Sequence, residues 1–306
     1  MTLICEKRVK KPLAYCYGLF WCLVRKVLRG FVQFWGMINQ IWAVEPIFFN
    51  GVEISKLPRH TGKLPRVAMV NAVNYYTPKE LGYMCISSVE TKDGLVAIIP
   101  VTGVLTPDWE YYWGTSTKWL INAIKIADDN VNIRAIVLNT DSPGGTAAGT
   151  EALAAAVAGC VKPIIGYAEN QAASAAYWAI SQSDEVWIGN NKITGIGSIG
   201  TIWEYRSFAE ALKMGGIDVR VMRNPDDKAL GHSAEPINDD VVKEMEGLLK
   251  VMTETFLNSV QKARPAVKAD IGGKMYYGQN AIKVGLADRV GSLADVVKRA
   301  DYLGRK

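Results

Sequence analysis

From Gly94 onward the chain breaks into short, unbroken apolar runs separated by longer amphipathic stretches. The runs are Leu95-Val96-Ala97-Ile98-Ile99-Pro100-Val101, Ala135-Ile136-Val137-Leu138, Ile164-Ile165-Gly166-Tyr167, Val186-Trp187-Ile188 and, after a longer gap, Val219-Arg220-Val221-Met222. Runs of this kind mark strands buried on both faces. Helical stretches lie between them, over Lys118 to Asp128, Ala147 to Ala158, Ala172 to Ser181 and Tyr205 to Met214. The alternation predicts βαβ units, and hence an α/β fold with a mainly parallel sheet and flanking helices. A longer amphipathic helix is expected from Asn238 to Ala263, with Val241, Met245, Leu248, Leu249, Met252 and Phe256 on one face.

The pattern is different upstream. Residues 51–92, with Pro58, Pro65 and Pro78, show no sustained periodicity and read as an irregular lead-in. Residues 1–50 form a separate basic, aromatic segment. Its apolar run from Leu13 to Val24 is closed by Lys11 on one side and Arg25-Lys26 on the other, which leaves it short of the roughly 20 residues a membrane span needs. Read as a helix, Phe20, Val24, Val27, Leu28, Phe31, Trp35, Ile38 and Trp42 share a face opposite Arg25, Arg29 and Gln33. That is the pattern of an anchor lying in the plane of a membrane surface. Two other readings stay open: a translated extension upstream of Met37, and a helix packed on a partner subunit. A signal peptide fits less well, because Arg25-Lys26 stand where small residues should precede cleavage.

Charge sharpens this division. Residues 1–36 hold seven basic residues against Glu6, or +6, so the remainder of a chain of net +5 carries −1. A body this close to neutral lacks the basic face of a nucleic-acid-binding domain. The five cysteines include no Cys-x-x-Cys pair and the chain has two histidines, His60 and His232; no metal site or disulfide framework is expected.

Candidate chemistry sits at the ends of the apolar runs. After the second run comes Asn139-Thr140-Asp141-Ser142-Pro143-Gly144-Gly145. Two glycines at a strand-to-helix turn can expose N–H groups to a developing oxyanion, or can simply make a tight turn. After the third run, Ala172-Ala173-Ser174-Ala175-Ala176-Tyr177-Trp178 places a serine at a helix start. Such a serine is either a helix cap or a nucleophile open to close approach. No histidine lies between His60 and His232, so a lysine is the alternative base if burial keeps it neutral. Lys228, in Arg223-Asn224-Pro225-Asp226-Asp227-Lys228, is either that base or a solvated loop lysine.

Taken together, these blocks resemble the SppA/protease IV family of serine peptidases. The resemblance rests on Asp141-Ser142-Pro143-Gly144-Gly145, Ala172-Ala173-Ser174 with Tyr177-Trp178, and Gly197-Ser198-Ile199-Gly200. It continues through Gly216-Ile217 with Lys228, Tyr277-Gly278-Gln279-Asn280-Ala281, and Gly285-Leu286-Ala287-Asp288 with Gly291, in order over about residues 94 to 300. It implies a ClpP/crotonase-like fold over residues 93–306, a Ser-Lys dyad of Ser174 and Lys228, and an oxyanion hole from Gly144, Gly145 and the N–H of Ala175. It implies no cofactor, a polypeptide substrate and a homo-oligomer in which the lysine can reach the serine across a subunit interface. Two departures stand out: Ala175-Ala176 replaces a usual Gly-Gly, and Asp226 and Asp227 flank the lysine. The expected activity is endopeptidase cleavage, in signal-peptide degradation at the inner membrane or in phage-type capsid or scaffold processing in the cytoplasm. A catalytically silent scaffold of the same fold is the alternative. An acyl-CoA enzyme of the crotonase type is disfavoured by the retained Ser-Lys pair.

Overall fold

The structure is a computed structural model, and it describes residues 42–44, 68–69, 86–91, 94–108 and 114–306. The helical stripe read from Phe20 to Ile38 lies outside them, and Trp42, its last member, is extended: Trp42–Val44 is a strand, β1. The lead-in contributes strands β2 (Ala68–Met69) and β3 (Ser87–Thr91). Because β3 pairs antiparallel with the first strand of the body, the body begins upstream of residue 93.

The main sheet is built on three long parallel strands, β4 (Gly94–Thr102), β7 (Ile133–Ser142) and β9 (Ile164–Ala173). Each corresponds to one of the apolar runs. Period-two alternation sends Val96, Ile98, Ala135 and Val137 to one face, against Val296, Val297 and Ala300 of helix α7 (Leu293–Leu303). Ala97, Ile99, Ile136 and Leu138 go to the other face, joining Leu120 and Ile124 of α1 (Thr117–Asp129) and Tyr177 and Ile180 of α3 (Ala175–Ser181). Helix α2 (Thr150–Ala158) packs against both α1 and α3. Covering both faces requires strands that are apolar at every position, and that is why these runs do not alternate.

Around this centre the sheet runs β12–β11–β9–β7–β4–β3–β2, with β10 (Glu185–Ile188) and β13 (Arg289–Val290) branching from β9. The far edge of β9 is shared. Its first half pairs with β10, and its last residues, Gln171–Ala173, pair with β11 (Gly195–Gly197). Strand β12 (Met275–Tyr277) closes that side in antiparallel fashion. A second, small sheet contains β1, β8 (Gly144–Thr146), β5 (Val104–Thr106) and β6 (Gly114–Ser116).

Two expectations fail in the segment after β11. Val219-Arg220-Val221-Met222 forms no strand, because it pairs with no sheet edge and leaves Val219 and Met222 48% and 86% exposed. Helix α4 is confined to Ala209–Met214. Helix α5 (Asp239–Ala263) starts where expected, with Asn238 accepting from the Val241 N–H as its cap. Of its expected apolar face only Val241 and Phe256 are buried; Leu248 lies open, and Val260 supplies the rest of the buried stripe. Residues 201–240 thus form an arm with little core of its own.

Candidate active site

The geometry of Ser174 follows from the strand that delivers it. Strand β9 leaves its partner β7 after Ala168, where the register breaks, and rejoins it at Ala172 opposite Ser142. Asn170 and Asp141 bridge the break through a hydrogen bond of 2.7 Å. The chain then turns sharply, and Ser174 adopts φ 53°, ψ −121° immediately before α3. Gly278, ahead of α6 (Gln279–Lys283), adopts nearly the same angles, φ 52° and ψ −126°. Glycine enters this region at little cost, whereas a side chain there carries roughly 1–3 kcal/mol of strain.

The turn is held in place by its neighbours. The Ser174 N–H donates to the Gly197 carbonyl at 2.7 Å, and its carbonyl accepts from the Trp178 N–H at 2.8 Å. Its hydroxyl makes no capping bond to the helix. Ser174 is 1% exposed, and its Oγ has no hydrogen-bond partner among the described residues. A cap serine would spend its hydroxyl on a helix N–H, so the capping reading of Ser174 fails. A strained strand-to-helix turn presenting a free hydroxyl is the arrangement of a nucleophile elbow. The first-turn N–H of Ala175 lies beside it, among the helix donors without an intrahelical acceptor.

The glycines differ from expectation. Gly144 and Gly145 belong to a strand, and α2 begins only at Thr150, so the helix dipole does not act on them. Gly144 has φ 99°, and its N–H donates to Ser142 Oγ at 3.1 Å. Ser142 in turn donates to the Gly103 carbonyl at 2.6 Å. A Cβ on Gly145 would sit 1.8 Å from the Leu105 carbonyl oxygen, so only glycine permits this approach of β5. What brings β8 near the site is packing: the strand lies against α3, the helix that Ser174 introduces.

Within one chain, Lys228 makes no hydrogen bond to the Ser174 hydroxyl. It is exposed in the arm, in a turn closed by its own N–H to the Pro225 carbonyl at 3.0 Å. It forms no ion pair among the described residues, with Asp226, Asp227 or any other carboxylate. His232 is also in the arm and exposed; its Nδ1 accepts from the Ala234 N–H at 3.2 Å.

The C-terminal blocks of the resemblance act as supports. Tyr177 donates its hydroxyl to the Leu286 carbonyl at 3.0 Å, and complete burial pushes its phenol well above the usual range. Arg264 binds Asp288 at 2.6 Å and the Gly285 carbonyl at 2.9 Å, while Asp288 accepts the Val186 N–H at 2.7 Å. Trp178 stacks on Phe256 with centroids 4.6 Å apart, coupling α3 to α5. One position the residue pattern had given no role is Ser198. It is buried, has φ 54°, and directly follows the carbonyl that fixes Ser174. Serines in a glycine-like conformation are invisible to periodicity; only the backbone angles reveal them.

Residues 158–305, which include both Ser174 and Lys228, match the model of Peptidase family S49. Over that stretch the chain is similar to a peptidase family S49 domain. Members of this family are serine peptidases, and the resemblance to SppA-like proteins is borne out. Curated relatives include Protease 4 of Haemophilus influenzae, 26% identical over 218 residues, covering 68% of this chain and 34% of the relative. Capsid assembly protease C of Escherichia phage lambda is 26% identical over 211 residues, covering 66% and 48%. The chain spans between about a third and three fifths of the length of the curated relatives it matches. Among solved structures, a membrane-bound stomatin-specific protease aligns at 15% identity with a TM-score of 0.39, covering 68% of this chain and 86% of that one. No helix among the described residues is long and apolar enough to cross a membrane.

Proposed function

We propose that this chain is a serine endopeptidase that cleaves extended polypeptide through an acyl-enzyme on Ser174. The observation that carries the proposal is the Ser174 hydroxyl: buried, unpartnered and held on a strained turn that local structure alone would not maintain. Its Oγ attacks the scissile carbonyl. The Ala175 N–H and the Gly144–Gly145 strand face the developing oxyanion, and water then releases the acyl group. The base is Lys228, delivered by the arm of a neighbouring subunit. An exposed lysine on an arm with exposed Met214, Ile217 and Met222 becomes buried, and so readily deprotonated, when another copy covers it. Signal-peptide degradation and capsid or scaffold processing both present unfolded chain, and the site suits either. Residues 1–36 are the proposed contact with an anionic membrane surface, which flotation with anionic vesicles tests.

The lack of any basic partner for the Ser174 hydroxyl among the described residues favours a second reading, a silent scaffold of the same fold. Fluorophosphonate labelling separates the two. Labelling of the wild type, none in Ser174→Ala and a loss of about 10²–10⁴ in rate in Lys228→Ala supports the peptidase; an unlabelled wild type establishes the scaffold.

A further inference from the structure

Strand β8 has two edges, and their occupants differ in kind. One edge is closed by β5: Leu105 pairs with Gly145, and the backbones approach so closely that no side chain fits between them. The other carries β1, antiparallel, with Trp42 opposite Thr146, Ala43 opposite Gly145 and Val44 opposite Gly144. An extended polypeptide pairing with β8 therefore has one edge available to it, and that edge holds the chain's own residues.

We propose that Trp42–Val44 is an internal competitor that occupies the peptide-docking edge of β8, so that an extended polypeptide must displace it to be held beside Ser174. The proposal rests on the reading of Gly144–Gly145 as part of the site. Strand addition at a sheet edge takes its affinity from main-chain hydrogen bonds, so one extended segment can replace another without matching its side chains. A three-residue strand is short enough to leave. Its tether nevertheless holds it at an effective concentration on the order of millimolar, so a free peptide at micromolar concentration is outcompeted unless it pairs over a longer stretch or fills side-chain pockets. The segment thereby sets a threshold that admits long unfolded substrates and excludes short ones.

The test uses the full chain with Ala43→Pro, which removes a backbone donor and disfavours the paired strand, and with Ala43→Val, which keeps both. The probes are a synthetic peptide of residues 38–48 and an unfolded polypeptide substrate. In Ala43→Pro, amide exchange at residues 144–146 should rise at least tenfold and return towards wild-type protection when the peptide is added. KM for the polypeptide should fall several-fold with kcat unchanged, and Ala43→Val should behave like the wild type. Unchanged exchange in Ala43→Pro overturns the proposal, as does faster exchange that the peptide does not reverse or that leaves KM unaltered. If no form hydrolyses polypeptide or takes up fluorophosphonate, the peptidase reading is the one that fails. Exchange and peptide binding then still decide whether residues 42–44 compete for β8.

Discussion

The N–H of Ser174 donates to the carbonyl of Gly197 at 2.7 Å, tying the turn after β9 to the last residue of β11. Strand pairing alone would not bend the chain there. The bond helps hold a serine in a conformation suited to glycine, and its hydroxyl stays free. Removing that hydroxyl should therefore stabilise the protein. Ser174→Ala deletes a buried, unsatisfied group and should gain about 1 kcal/mol, while Ser174→Gly also relaxes the backbone. Urea unfolding midpoints check this; a loss of stability in the alanine variant would mean that the hydroxyl has a partner in solution.

Catalysis should depend on Lys228 and not on His232. Lys228→Ala should lower kcat by about 10²–10⁴, with His232→Ala within a fewfold of wild type. If the lysine acts from a neighbouring copy, mixing inactive Ser174→Ala with inactive Lys228→Ala should restore part of the activity through hybrid oligomers. Mixtures that stay inactive under subunit exchange would place the lysine in the same chain as its serine.

Tyr177 anchors the far end of the site. Tyr177→Phe leaves the Leu286 carbonyl buried without its donor and should cost about 1–2 kcal/mol. Its effect should fall on stability, measured by denaturant midpoint, with kcat preserved at temperatures where the variant is folded.

Acid should weaken the clamp between β10 and α7. Burial pushes the Glu185 carboxyl up, but bonds from Arg299 and Trp187 and the Arg299 charge outweigh it, holding the group below the usual carboxylate range. A depressed carboxylate stabilises the fold above its unfolded pKa of about 4, and that contribution is lost as pH falls through the lower folded value. Glu185→Gln should therefore flatten the dependence of unfolding free energy on pH between about 2 and 5. Parallel slopes for wild type and variant would exclude this pair as a source of acid sensitivity.

The sequence by itself determined the doubly covered parallel centre, because β4, β7 and β9 must be apolar at every position when helices pack on both faces. It located Ser174 at a strand-to-helix junction and bounded α1 and α5 within a residue or two, since their periodicity and the Asn238 cap are local signals. What it lacked was anything that depends on a distant partner. Val219–Met222 has the composition of a strand, yet no sheet edge reaches it. Gly144 and Gly145 read as a turn but are strand residues, because β5 approaches Gly145 at backbone distance from forty residues away. Trp42 continues a helical stripe on paper and is extended in the structure, paired with Thr146. Whether the hydroxyl of Ser174 capped a helix or stood free was decided by tertiary contacts alone: a strained φ persists only where bonds such as that to Gly197, contributed by another strand, hold it.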